Sequence, residues 1–248
     1  SGLPPYAPVS ELQEKYGSPN PKGLMEYIST CKRESKPQTK FQYSCLNYIT
    51  LQHIIETITG QSLRDFAKEN IFDILGMQYT DYLPTIQQQD GKWINTVACP
   101  WMDRIAPTEK QKDGSVLCGQ VHDPLARILN GGISGNAGIF SNANDIGILA
   151  AALLNGGEYN GRRILSPLGV KTMCTVPREL TAFGRTPGWD IFSPYASNKG
   201  DLFSPNTFGH TGYTGTSIII DPDNDTAVIQ LVLSLIHISE PTRRSYIS

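Results

Sequence analysis

The clearest pattern along the chain is a row of apolar residues at helical spacing between about Ser44 and Thr59. Leu51, Ile54, Ile55 and Ile58 recur at i, i+3, i+4 and i+7, which predicts a helix with one buried stripe. Gly60 supplies the left-handed residue on which such a helix stops. Ser62 then caps a second helix, with Asp65 three positions on in the manner of a capping box, and Leu63, Phe66, Ile71 and Leu75 form its apolar face. Two helices back to back predict a helical subdomain. Upstream, the first twenty residues are rich in Pro, Gly and Ser and read as loop with one short turn of helix. A short amphipathic segment from about Gly23 to Glu34 follows, ended by Pro37, because the residue before a proline is pushed out of the helical region.

From Tyr79 to Asn130 no period is sustained, which predicts a long excursion over the surface, functional or packed on itself. The glycine-dense run Gly131 to Ser141 demands unusual backbone angles or close backbone approach. A helix from about Asn144 to Leu154 is closed by Gly156 and Gly157, and Ser166 with Pro167 opens another that runs to about Cys174. The last third changes character. Phe208 to Thr216, Ser217 to Asp221 and Thr226 to Val232 are β-branched or aromatic runs that read as strands, the last two joined by a turn-forming Asp-Pro-Asp-Asn-Asp. Helices first and an antiparallel hairpin last give an α+β layout, with no internal repeat and no linker that splits it. The tail from about Leu235 abandons strand alternation without becoming helical. It resembles translated sequencing-adapter sequence, so residues 1–234 are taken as one partial domain, 235–248 as a non-native tail, and His237 is given no role.

The 248 residues are 39% apolar, enough for a sizeable core. A net charge of −2, with no basic run, argues against a nucleic-acid partner. No apolar run reaches the roughly 18 to 20 residues of a membrane span. The five cysteines are scattered and form no C-x-x-C pair, which argues against a zinc cluster or a disulfide framework.

Two segments put reactive groups where a fold can aim them. In Tyr43-Ser44-Cys45 a phenol sits beside the unpaired N–H groups of a helix start, whose positive end favours the phenolate, the form that accepts a proton. The plainer alternative is that Tyr43 packs and Ser44 caps. Phe208 to Thr216 is a strand-like run with glycine at 209, 212 and 215, which argues for something approaching the backbone closely, as a substrate pairing with a strand edge does. His210 at its start can donate to a substrate carboxylate or polarise a hydroxyl, or can be a structural hydrogen-bonder.

In this order the two segments resemble the serine β-lactamase, penicillin-binding-protein and esterase superfamily. Its three motifs are S-x-x-K, then Y-x-N, then K-T-G or H-T-G on a strand. YSCLNY with its long helix is similar to the second motif and GHTGYTGTSIIIDP to the third. The opening SGLP resembles half of the family's T-H-T-S-G-L segment, and residues 131–157 resemble its glycine-rich turn and following helix. The likeness thus runs from Ser1 to about Val232. It implies a β-lactamase/transpeptidase-like antiparallel sheet with a helical subdomain, incomplete at both ends, with the S-x-x-K serine upstream of Ser1.

The resemblance implies acyl transfer on an ester, amide or β-lactam carbonyl, with no cofactor. Tyr43 would share the base role with the motif lysine, and the Tyr213 N–H would help hold the oxyanion. His210, Thr211 and Gly212 would line the substrate's carboxylate or acyl side, with Cys45 also in contact. It further implies a small-molecule or peptide substrate and a periplasmic or cell-envelope setting, and leaves oligomeric state open. Two departures stand out: Cys45 replaces the family's usual Asn or Asp, and Gln38 replaces a glycine common before the second motif. Ser29-Thr30-Cys31-Lys32 reads S-x-x-K but lies only fourteen residues before Tyr43, and is taken as coincidence. His122-Asp123 invites a triad, yet helix-entry capping by Asp123 before Pro124 is the simpler reading. Two rivals remain: a non-catalytic module binding peptidoglycan-like ligands in the same groove, and a cysteine hydrolase built on Cys45.

Overall fold

A computed structural model describes residues 1–111, 113–193 and 199–233. The expected non-native tail, His237 included, lies outside the described residues.

Three helices open the chain: α1 (Val9–Tyr16), α2 (Pro21–Thr30) and α3 (Cys45–Thr59). The first, of 8 residues, is longer than the one short turn expected there, because Leu12 is buried in the cluster that also holds Leu3, Leu24 and Leu129. Asn20 caps α2 by accepting from the Gly23 N–H, and the helix carries Pro21 in its first turn, where the missing N–H costs nothing. The second predicted helix is present as α4 (Leu63–Ala67), a π turn over Lys68–Phe72, and α5 (Asp73–Leu75). Ser62 caps it through the Asp65 N–H, as its spacing predicts.

Two stripes differ from expectation. On α3 the buried residues are Leu46, Ile49 and Gln52, while Leu51 and Ile58 are 49% and 79% exposed. Apolar period alone missed this because Gln52 is carried inward by non-local hydrogen bonds rather than by hydrophobicity. On the next helix Ala67 and Phe72 join Leu63 and Leu75 in the core, Ile71 packs against it half-buried, and Phe66 is not part of it. A π turn adds one residue per turn, so the inward row steps from 67 to 72.

The excursion after Tyr79 is built of short pieces. β1 (Asp81–Tyr82), β2 (Thr85–Gln87), β3 (Trp93–Asn95), β4 (Glu109–Lys110) and β5 (Val116–Leu117) form two small antiparallel pairs of their own, while β1 pairs with β6 (Ile139–Phe140). Next come α6 (Ala143–Leu154), the tiny hairpin β7 (Glu158–Tyr159) with β8 (Arg162–Arg163), and α7 (Pro167–Cys174). Ser166 caps α7 on the Gly169 N–H as predicted, and Asn142 caps α6 on the Asp145 N–H, a cap the sequence reading did not name.

The main sheet orders β9 (Phe208–Thr211), β10 (Ser217–Asp221) and β11 (Thr226–Gln230) as β11-β10-β9, antiparallel, with His210 opposite Ile218. Helix α6 lies between two cores, offering Ala152 to the helical one and Ala150 with Leu153 to the sheet, where Phe208 and Ile220 are buried. Burying one such side chain contributes about 2 kcal/mol. Asp221 anchors the far end of β10, accepting from the Ser204, Asp223 and Asn224 groups around it.

The run Phe208 to Thr216 is not strand throughout: pairing on β10 ends at Thr211, and Gly212 to Thr216 makes the reversal. Its glycines are explained inside the chain. A Cβ on Gly209 would stand 2.4 Å from the Ile218 carbonyl oxygen, so the close approach is by the neighbouring strand and not by a ligand.

Candidate active site

The helical wall begins at the chain's start. The Ser44 Oγ donates to the Pro4 carbonyl at 2.7 Å instead of capping α3, and the Cys45 N–H donates to the Pro5 carbonyl at 3.0 Å. The SGLP segment and the Tyr-Ser-Cys turn are thereby one structural unit. Behind it, the Gln52 Oε1 accepts from the Asn130 Nδ2 and the Gly135 N–H, both at 3.0 Å, and its Nε2 donates to the Ile133 carbonyl. Gly135 must lack a Cβ, which would stand 2.0 Å from the Tyr48 carbonyl oxygen. This contact brings Asn136 onto the Cys45 thiol, its hydrogen-bond partner.

The strand wall is set by a short hairpin that sequence reasoning overlooked. Arg185 and Asp190 face each other across it, and Asp190 forms a two-bond bridge to Gly209, donating at 2.9 Å and accepting at 3.0 Å. With both Gly209 backbone groups turned outward, antiparallel alternation turns His210 toward Ile218 and the Thr211 N–H outward again. The outer edge of β9 is therefore occupied at Gly209. No local periodic signal marks Arg185 or Asp190 in the sequence.

The two walls meet where the motifs predicted. The rings of Tyr43 and His210 lie 6.3 Å apart, and the Arg185 guanidinium stacks over Tyr43 at 5.3 Å and over Phe41 at 5.7 Å. Arg185 also contacts the His210 Nε2 at 3.3 Å and pairs with Asp190 at 2.8 Å. The Tyr48 hydroxyl donates to the Pro187 carbonyl, tying α3 to this hairpin. At the other end Tyr213, 78% exposed, stacks on His122 at 5.5 Å, and the His122 Nε2 lies 3.3 Å from Glu109. Asp123 caps as expected, accepting from the Ala126 N–H at 2.9 Å, and also takes the Tyr6 hydroxyl. His122 thus meets Tyr213 through the loop its neighbour caps.

Burial pushes the Tyr43 phenol above its ordinary value, and the Arg185 guanidinium opposes this. Burial and then Arg185 both push the His210 imidazole below its ordinary value. The Cys45 thiol is raised, first by burial and then by the Asp123 carboxylate, which disfavours the thiolate a cysteine nucleophile needs. In the Ser29 to Lys32 decoy, the Ser29 Oγ is exposed and donates to the Glu26 carbonyl of its own helix.

An antiparallel sheet backed by α6, with an H-T-G strand facing a tyrosine at the head of a helix, defines a β-lactamase/transpeptidase-like unit. The family model described as Beta-lactamase matches residues 1–235, and the chain belongs to that family. It is 35% identical over 221 residues to an Escherichia coli protein provisionally named D-alanyl-D-alanine carboxypeptidase, covering 84% of this chain and 48% of that one. A Salmonella gallinarum protein of the same name is 32% identical over 247 residues, covering 93% and 54%. The chain thus spans about half the length of these relatives. Among solved structures, a penicillin-binding protein homologue from Caulobacter crescentus aligns with TM-score 0.60 and 16% identity, over 95% of this chain and 63% of that one. A hydrolase with promiscuous acyltransferase activity aligns with TM-score 0.58 and 19% identity, over 93% and 62%. These two likenesses bear on the fold alone.

Proposed function

We propose that this chain is part of a serine hydrolase that works through an acyl-enzyme, with the nucleophilic serine on sequence outside these 248 residues. The carrying observation is the 6.3 Å approach of the Tyr43 and His210 rings, which brings the second-motif tyrosine and the H-T-G histidine to one place. On this reading the serine hydroxyl attacks a carbonyl, and Tyr43 with the lysine of S-x-x-K takes its proton. The Tyr213 N–H, which makes no hydrogen bond among the described residues, helps hold the oxyanion. His210, Thr211 and Gly212 form the wall along the substrate's acyl or carboxylate side, and Cys45 with Asn136 lines the opposite one. The relatives' names favour peptides ending in D-alanyl-D-alanine as substrate, with esters and β-lactams as further acyl donors and the cell envelope as the setting.

The test is turnover by the longer protein that carries this sequence. D-alanine release from a D-alanyl-D-alanine peptide, p-nitrophenyl ester cleavage and nitrocefin opening are measured in parallel. Tyr43→Phe is expected to lower kcat by roughly 10²- to 10⁴-fold. No turnover of any substrate, with an intact S-x-x-K in place, would sink the proposal. One feature favours the non-catalytic binder instead: within this chain burial makes the Tyr43 phenol harder to ionise. Peptide binding without turnover is the outcome that selects it.

A further inference from the structure

The imidazole of His210 has both nitrogens engaged. Its Nδ1 lies 2.9 Å from the Thr211 carbonyl oxygen, which can only accept, and its Nε2 lies 3.3 Å from the Arg185 Nη1, which can only donate. Only one protonation state satisfies both contacts: the proton on Nδ1 and the lone pair on Nε2. An imidazolium would set an N–H of its own against a guanidinium N–H, with like charges in contact. The guanidinium is itself fixed, by Asp190 at 2.8 Å, by Ser193 at 3.4 Å and by the ring of Tyr43 beneath it. Asp190 in turn is held by the Ser193 N–H and Oγ and by its backbone bridge to Gly209, the residue before the histidine.

We infer that Arg185, anchored by Asp190, is a positioning residue that locks His210 as the neutral Nδ1–H tautomer, so that the positive charge on this wall belongs to the guanidinium and not to the imidazole. The titratable and charged groups facing the ring are Arg185 and Asp190 from the hairpin and Tyr43 from the helical wall; β10 opposes it with Ile218. Burial acts in the same direction, holding the ring below its ordinary value. His210 then cannot donate a proton from Nε2 to a substrate carboxylate. It acts by filling the space between Arg185 and the strand.

The inference concerns the wall of the site proposed above, but its measurement needs no turnover, so its failure is distinguishable from failure of the hydrolase reading. Long-range ¹H–¹⁵N spectra of the imidazoles are recorded against pH, with His210 assigned by loss of its signals in His210→Gln. The wild-type ring is expected to show a protonated Nδ1 and a bare Nε2, and to titrate below the ordinary imidazole value of about 6.5. In Arg185→Met the midpoint rises toward that value and Nε2–H signal appears. Arg185→Lys, which keeps a donor and a charge, is expected to restore the low midpoint in part. Arg185→Met leaves Asp190 unpaired and can unfold the hairpin, so Arg185→Met/Asp190→Asn carries the same measurement with both charges removed. An Nε2–H tautomer in the wild type, or an unmoved midpoint in folded variants lacking Arg185, overturns the inference.

Discussion

The two sides of the candidate site are held by different kinds of chemistry. Behind the helical wall stands a network of amides and hydroxyls, Gln52, Asn130, Ser134 and Asn136, with the Glu56 carboxylate accepting from Gln52 and the Asp123 carboxylate from Asn136 at its margins. Behind the strand wall stands an ion pair, Arg185 with Asp190, leaning on an imidazole. The amide and hydroxyl links at its centre do not titrate, and they pin a helix start to within a hydrogen bond's tolerance. An ion pair beside a histidine answers to protonation and fixes the local charge. The cleft therefore has one wall that supplies position and one that supplies electrostatics.

The contrast can be broken most forcefully at Gln52. Gln52→Ala strands the Asn130 amide and the Gly135 N–H and opens a cavity, a loss of about 2 to 4 kcal/mol. Urea denaturation should read that loss as the same at pH 5 and pH 8, and a strong pH dependence would mean that the Glu56 and Asp123 contacts, not the amide core, hold this wall.

A smaller and pH-dependent effect is expected on the other wall. The folded-state imidazole of His210 lies below its unfolded value, so the unfolded chain takes up the proton first as pH falls. Stability from this group is whole above about 6.5 and declines below it. His210→Gln should flatten the acid-side decline of Tm relative to the wild type; an identical decline in the two proteins would remove the contrast.

The smallest effect concerns the approach to Tyr43. Gln38 adopts φ +63°, the left-handed region, so the backbone keeps the shape of the glycine it replaces in the family pattern. Relief of that strain is worth roughly 1 kcal/mol, offset in part by glycine's extra freedom when unfolded. Gln38→Gly is expected to raise stability by less than about 1 kcal/mol and Gln38→Val to lower it, and chemical denaturation of the pair reads the difference in sign.

Local signals in the sequence carried far where they were sufficient in themselves. The caps of α4 and α7 and the β10–β11 hairpin follow from residues within one turn of each other, and the structure reproduces them. Tyr43 and the H-T-G segment were legible as motifs, and the fold brings them together. What escaped was decided at a distance. Gln52 turns inward because Asn130 and Gly135 wait for it, some eighty positions along the chain. Gly209 looks like an invitation to a ligand until the Ile218 carbonyl is seen against it. Arg185 and Asp190 sit in a turn with no periodicity, and acquire meaning only through their contacts with His210 and Gly209.

The π turn at Lys68–Phe72 carries a consequence for how this helix tolerates length change. Its inward residues, Leu63, Ala67, Phe72 and Leu75, are spaced four, five and three apart. Removing any one residue between 68 and 71 would reset the spacing to four, four and three, the rhythm of an uninterrupted α-helix. The segment thus holds one residue in reserve, and a deletion that would swing most helices out of register would here leave the same side chains pointing home.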